Sequence, residues 1–354
     1  MRLISPGSSL KRRASRLVWA CAVAALTLAL AACGDDDSGA SGEDDSGQEQ
    51  VDMAVFMASL GDGYTRNLNE AITEQATMMG SEVQTFDATF DPQKQLQQCQ
   101  DAIVTQRFQA FVIQPVAGPS MVPCATQAID AGIEVVAVSN PIGPDIDSTE
   151  PQVEGIAGTI LESPTTMGET LAELTVEACA DEDPCEVIYE FGPPDFSFAA
   201  NSREVFNQAV AENPAVEVVG EGSHLFQPDR ARSLTRQLLV ANPDVDVITN
   251  DDDPSAAEAL KVVQEMGLAD QISVIGGAGA REGAVLVESG DMFGSAVLVP
   301  RTAGRRAAEI AILSARGEDP GRTELNNAED LSPIGAKLTQ ENISEFNAEW
   351  SVTD

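Results

Sequence analysis

From Met53 onward the chain repeats one pattern: a short apolar run, a polar or glycine turn, an amphipathic stretch, then another apolar run. Short apolar runs alternating with stretches of helical period identify strands and helices in alternation. The spacing predicts strands over 53–59, 82–87, 110–114 and 134–138, with helices over 64–79, 92–107 and 120–131. On the second of these helices Leu96, Cys99 and Ile103 share one face, and Gly132 ends the third as a left-handed cap requires. The scheme then returns, with strands over 186–191, 216–220, 245–249, 273–276 and 293–299 and helices over 164–178, 198–212, 229–241, 254–266 and 301–316. Apolar strands such as Val135-Val136-Ala137-Val138 suit parallel sheets covered by helices on both faces. The fold class is therefore α/β, with two Rossmann-like lobes, because two runs of the scheme need two cores. A closing stretch, 331–350, is long enough to cross back between them.

The pattern breaks upstream of residue 51. Arg2, Lys11, Arg12, Arg13 and Arg16 precede an apolar run over 17–32 that is short for a membrane-spanning helix, which reads as a signal peptide over 1–33. It ends Leu30-Ala31-Ala32-Cys33-Gly34, similar to a bacterial lipobox, whose cysteine is lipidated before cleavage. A signal anchor with an incidental Cys33 is the alternative. Residues 34–50 are Gly, Ser, Asp and Glu with almost nothing apolar; such a segment buries too little surface to offset its ordering entropy and is expected to be a flexible tether.

Composition sharpens this picture. With 354 residues and 43% hydrophobic content the chain can fill two modest cores, and 5% aromatic content favours βα layers over a β-sandwich. Five of the 20 basic residues but none of the 57 acidic ones precede Cys33, so the remainder carries 15 basic against 57 acidic residues, a net −42. That balance excludes nucleic acid and anionic lipid surfaces as partners, since both are held by Lys and Arg. Beyond Cys21 and Cys33, four cysteines remain, allowing three connectivities. Cys179 and Cys185 enclose a short polar loop and favour local pairing, which leaves Cys99 with Cys124; free buried thiols are the alternative, and the spacing fits no zinc motif.

Open parallel sheets bind ligands beyond the carboxyl ends of their strands. The polar residues there are Asp62 and Tyr64, Gln114, Ser139 and Asn140, then Asp251, Asp252 and Asp253. Asp253 reads as the cap of a helix that starts at Pro254, and Asp252 as facing the ligand.

At this point several segments become recognisable: Met53-Ala-Val-Phe-Met-Ala-Ser-Leu-Gly-Asp62-Gly-Tyr64, Asp87-Ala-Thr-Phe-Asp-Pro92, Phe111-Val-Ile-Gln114-Pro115, Leu239-Val-Ala-Asn-Pro-Asp244, Val274-Ile-Gly276, Leu298-Val-Pro300 and Leu338-Thr-Gln-Glu-Asn342. In this order they resemble the type I periplasmic sugar-binding proteins of the ribose and galactose kind. The resemblance implies two lobes joined by a three-segment hinge, the first at 51–158 plus 299–327 and the second at 159–298 plus 328–354. It implies an exported receptor that closes on a small polar solute, a sugar or polyol, and delivers it to an ABC permease, working as a monomer without cofactor or metal. A receptor that docks a membrane signalling protein is the alternative. The family's cleft positions fall on Asp62, Tyr64, Gln114, Ser139, Asn140, Phe226 and Asp252, with Arg203 where the family carries an arginine and Phe198, with Phe196, closing one side. Carboxylates and amides suit hydroxyl hydrogens, and Tyr64 and Phe226 suit C–H faces. Where the family carries an Asp after Val-Ile-Gly this chain has Gly277-Ala278, and Leu298 replaces a polar residue, so that side of the pocket is less polar.

Catalysis finds little support. The run Gly277-Ala-Gly279-Ala-Arg-Glu-Gly283 superficially matches a dinucleotide fingerprint but lacks the acid on a following strand. His224 is the single histidine, has no nucleophile motif nearby, and reads as a surface or rim residue. A repressor sensor would need a helix-turn-helix, which the sequence lacks.

Overall fold

A computed structural model describes residues 50–353; Cys33 and the predicted signal peptide and most of the tether lie outside them. The first half runs β1 (Asp52–Met57), α1 (Gly63–Met78), β2 (Glu82–Asp87), α2 (Pro92–Val104), β3 (Ala110–Ile113), α3 (Gly118–Asp130), β4 (Glu134–Ser139) and β5 (Gly158–Leu161). It continues as α4 (Pro164–Ala178), β6 (Cys185–Phe191), α5 (Ser197–Val210), β7 (Val216–Ser223), α6 (Pro228–Ala241), β8 (Val247–Asn250), α7 (Asp253–Met266), β9 (Ser273–Gly276) and α8 (Arg281–Ser289). The last elements are β10 (Gly294–Ala296), α9 (Pro300–Ala315), β11 (Glu324–Asn326) and β12 (Lys337–Leu338).

Two six-stranded sheets result, ordered β11-β5-β4-β3-β1-β2 and β12-β10-β9-β8-β6-β7, parallel throughout except that β12 runs antiparallel to β10. The chain passes between them three times, from β5 to α4, from β10 to α9 and from β11 to β12, and Val299 N donates to Asn327 Oδ1 at 2.8 Å, tying the second and third passages together.

The period of two in each strand explains the double covering. In β1, Met53, Val55 and Met57 face a core shared with Leu68 and Ile72 of α1 and Ala303 and Ala307 of α9, whereas Ala54 and Phe56 face Cys99 of α2 and Met121 of α3. Each fully buried Val, Leu, Ile, Phe or Met contributes roughly 1.5–3 kcal/mol. The α1–α9 contact is close because Gly304 has no side chain: a Cβ there would stand 2.6 Å from Leu68 O. In β6, Val187, Tyr189 and Phe191 face α4 and α5, and Ile188 faces α6 to α8. Cys99 is bonded to Cys124, joining α2 to α3, and Cys179 to Cys185, joining α4 to β6.

The sequence pattern missed β5. Only four residues long, it follows a loop over 140–157 rich in Pro, Gly and Asp, and the expected boundary at Thr159 assigns three of its residues to the second lobe. In the structure β5 pairs with β4 and β11, both in the first sheet. The strand expected over 293–299 is paired only at Gly294–Ala296, because the rest becomes the passage into α9.

Candidate functional site

Loops at the carboxyl ends of both sheets enclose a cavity of about 260 Å³. This is a little under the ~300–1,000 Å³ of pockets for drug-sized ligands, so it suits a smaller guest. Its wall takes Asp62, Tyr64, Phe90, Gln114 and Glu162 from loops of the first sheet, and Phe196, Phe198, Phe226, Asp251 and Asp252 from the second. Trp350 of the C-terminal segment completes the wall.

Two carboxylates begin helices. Asp62 caps α1, accepting from Thr65 N at 2.8 Å and Thr65 Oγ1 at 2.9 Å; burial raises its pKa against these bonds. Asp252 caps α7, its Oδ2 accepting from Ser255 N at 3.1 Å and Ser255 Oγ at 2.5 Å, and burial lifts its pKa to about 6. This corrects the sequence expectation, which gave the cap to Asp253. Asp253 is instead the first helical residue and fully buried. Its carboxylate accepts from Ala280 N and Ser295 Oγ, both at 2.7 Å, which fixes the loop between β9 and α8.

A hydrogen-bonded series lies on the first-sheet side. Glu162, beyond β5 and 4% exposed, accepts at Oε1 from Tyr64 Oη at 2.5 Å and Ser139 Oγ at 2.7 Å. Burial raises its pKa to about 7, against the lowering effect of those two donors. Gln114 Nε2 donates to Ser139 Oγ at 3.2 Å, and the Gln114 carbonyl accepts from Gln95 Nε2 at 2.7 Å.

The second-sheet side sets an aromatic cluster beside Asp251 and Asp252, and the backbone around the cluster is strained. Phe196 meets Phe90 across the cleft at 5.6 Å between ring centroids, Phe198 at 6.2 Å and Phe226 at 6.4 Å. Phe90, Phe226 and Ala278 hold φ of 58°, 54° and 67°, a left-handed region that costs a non-glycine residue about 1–3 kcal/mol, and such strain concentrates at functional sites. The Phe226 ring sits over Gly192, where a Cβ would come within 2.3 Å of its Cζ. Behind it the single histidine is fully buried, not on the rim as expected: His224 Nδ1 accepts from Phe226 N at 3.1 Å and Nε2 lies 3.1 Å from Asp251 Oδ1. Asp251 Oδ2 accepts from Gly192 N at 2.9 Å. His224 thus holds the Phe226 turn and an acid of the wall in one piece.

Of the residues expected to face a solute, the structure brings Asp62, Tyr64, Gln114, Phe198, Phe226 and Asp252 to the cavity. Three stand elsewhere. Ser139 is one layer back, its hydroxyl spent between Gln114 and Glu162. Asn140 turns away and donates to Pro115 O at 2.9 Å. Arg203 is outside the cavity, ion-paired with Glu221 and stacked over Phe191 at 4.5 Å. Sequence reasoning passed over Glu162, Phe90 and Trp350. Glu162 was hidden with the missed strand β5, and Phe90 lies in the recognised Asp87–Pro92 stretch, whose turn was the available signal. Among the described residues no group of three or more His, Cys, Asp or Glu could hold a metal ion.

The periplasmic binding protein domain matches residues 53–319. The ribose import binding protein of Salmonella typhimurium is 24% identical over 266 residues, 75% of this chain and 85% of that one. A xylitol-binding protein of Mycolicibacterium smegmatis is 22% identical over 302 residues, covering 84% and 80%. A solved ABC transporter solute binding protein from Mycobacterium smegmatis, with bound glycerol, superposes with a TM-score of 0.70 at 24% identity, covering 85% of this chain and 99% of that one. The structural likeness shows the two-lobed α/β fold.

Proposed function

This chain belongs to the periplasmic binding protein family, and we propose that it takes up a neutral polyhydroxylated solute, a sugar or polyol, in the cavity between its two sheets. It is an extracytoplasmic solute receptor of ABC transport and not an enzyme. The observation that carries the ligand class is the makeup of the wall. Acceptor-rich side chains (Asp62, Gln114, Glu162, Asp252) share the wall with aromatic faces (Phe196, Phe198, Phe226, Trp350), a combination that matches a guest with hydroxyl hydrogens on its edges and C–H groups on its faces. The relatives named for ribose and xylitol support the same reading.

Binding works by exclusion of water and by closure. A guest that bridges residues from both sheets stabilises the arrangement in which the sheets face each other, and hinge closure is thereby linked to occupancy. Asp62, Tyr64, Gln114, Glu162, Phe198, Phe226 and Asp252 are the residues that touch the guest in this reading. Ser139 orients Glu162 and Gln114. Delivery of the solute by a monomer to a membrane permease, with Cys33 as the lipid anchor, completes the proposal; docking to a membrane signalling protein has no separate observation in its favour.

A thermal-shift screen tests the ligand class. A solute that binds only the folded state raises the melting temperature by mass action, about 2.7 kcal/mol of stabilisation at a hundredfold excess over Kd. Pentoses, hexoses, pentitols and inositols are expected to include a stabilising compound, and stabilisation by amino acids or nucleosides alone would reject the reading.

A further inference from the structure

The last residues of the chain make contacts that neither sheet requires. Beyond β12 only a short 3₁₀ turn, Ile343–Glu345, interrupts an irregular path to the cavity. The Glu349 carboxylate accepts from Thr302 N at 2.8 Å and Thr302 Oγ1 at 2.5 Å, at the start of α9. Trp350 is 2% exposed; its Nε1 donates to Ala278 O at 2.7 Å and its carbonyl accepts from Arg281 N at 2.9 Å. Ser351 Oγ and Val352 N both donate to Glu282 Oε1 of α8, at 2.7 and 3.2 Å. Arg66 Nη2 of α1 donates to Val352 O at 3.2 Å, and Gly63 lies so close to the same strand of chain that a Cβ would stand 2.3 Å from Ser351 O.

Four consecutive residues are therefore bonded by turns to helices of the first sheet, α1 and α9, and to α8 and its preceding loop on the second. Both sets of bonds coexist only while the sheets keep this spacing. Trp350 and Val352 also line the cavity, and the Trp350 ring meets Tyr64 edge-on at 5.4 Å between centroids. We propose that Glu349–Val352 is a clasp: it fastens across the cleft, supplies Trp350 as a wall of the solute site, and docks and binds solute as coupled events.

The coupling follows from linkage. If docking requires the closed spacing and solute also favours it, each strengthens the other by the same factor. The clasp rests on the receptor reading for what fills the cleft, but not for the spacing itself.

Two variants loosen the clasp, and affinity is read on the first, which leaves the solute wall intact. Glu282→Ala removes the carboxylate that holds Ser351 and Val352 and lies outside the cavity wall, whereas a stop after Trp350 removes the anchors to Glu282 and Arg66 together with Val352 of the wall. Small-angle X-ray scattering of the full chain is expected to show a larger radius of gyration for both variants without solute. Calorimetric titration with xylitol and with ribose is expected to show at least fivefold weaker binding of whichever probe the unmodified chain accepts. An unchanged radius of gyration in both variants overturns the clasp, and so does a wider spacing with unaltered affinity. Failure of the unmodified chain to bind either probe counts against the receptor reading, while the scattering comparison still decides the clasp.

Discussion

Tyr64 donates its phenolic hydrogen to Oε1 of Glu162 at 2.5 Å, joining the first turn of α1 to the end of β5 across 98 positions of sequence. Ser139 donates to the same oxygen, so a proton acquired by Glu162 resides on Oε2. The folded pKa is about 7 against an ordinary value of 4.5.

Stability should therefore fall with rising pH in a defined window. Between about 4.5 and 7 the folded chain holds a proton that the unfolded chain has released, so raising the pH removes stability, and the loss is complete above 7. The full shift corresponds to about 3 kcal/mol. Glu190, buried and also raised to about 7, acts in the same direction. Glu162→Gln keeps an acceptor for Tyr64 and should flatten part of the slope, gaining on the parent at pH 8. Melting curves at half-unit steps from pH 4.5 to 8 check this, and parallel curves for the two proteins would refute it.

Asp252 both caps α7 and faces the cavity, so the variant must separate the roles. Asparagine caps about as well as aspartate, whereas alanine costs roughly 1 kcal/mol of helix stability. Asp252→Asn should leave the apo melting temperature nearly unchanged and weaken solute binding about tenfold, while Asp252→Ala should lower both. Phe226→Ala should weaken binding by a similar factor through lost C–H contact. Retention of full affinity in Asp252→Asn and Phe226→Ala would remove both from the site.

Arg203 makes the opposite case. Its guanidinium pairs with Glu221 over the Phe191 ring, outside the cavity. Arg203→Ala should change solute affinity by less than about twofold and cost on the order of 1 kcal/mol of stability, since the pair is partly exposed. A tenfold affinity loss would return Arg203 to the cleft.

These residues show what the sequence could convey. Strand and helix periods are local, and they located both sheets and nearly every helix. Loop chemistry is local too, which is why Asp62, Gln114 and Asp252 could be picked out at strand ends. Arg203 and Asn140 could not be resolved, because a side chain's direction depends on partners such as Glu221 and Pro115 that arrive from distant segments. Trp350 was invisible for the same reason: its place depends on a tail that spans both sheets. Only four residues long, β5 carried too little pattern to announce itself, and Glu162 disappeared with it.

Membrane attachment is expected to depend on one sulfur. Cys33→Ala should move the protein from the membrane fraction to the soluble fraction, measured by fractionation and immunoblot. Equal membrane retention in the variant would contradict a lipid anchor at Cys33.

Two of the helices that start at the cavity, α1 and α7, carry a carboxylate of the chain itself at their opening turn. A helix start is where a phosphate or sulfate ordinarily settles, drawn by unpaired N–H groups and the dipole. At these two starts the berths are occupied in advance by Asp62 and Asp252, with Asp251 beside them in the wall. The cleft should sort its guests by charge before it sorts them by shape, so that phosphorylated sugars and uronates are expected to bind more weakly than uncharged relatives of the same size.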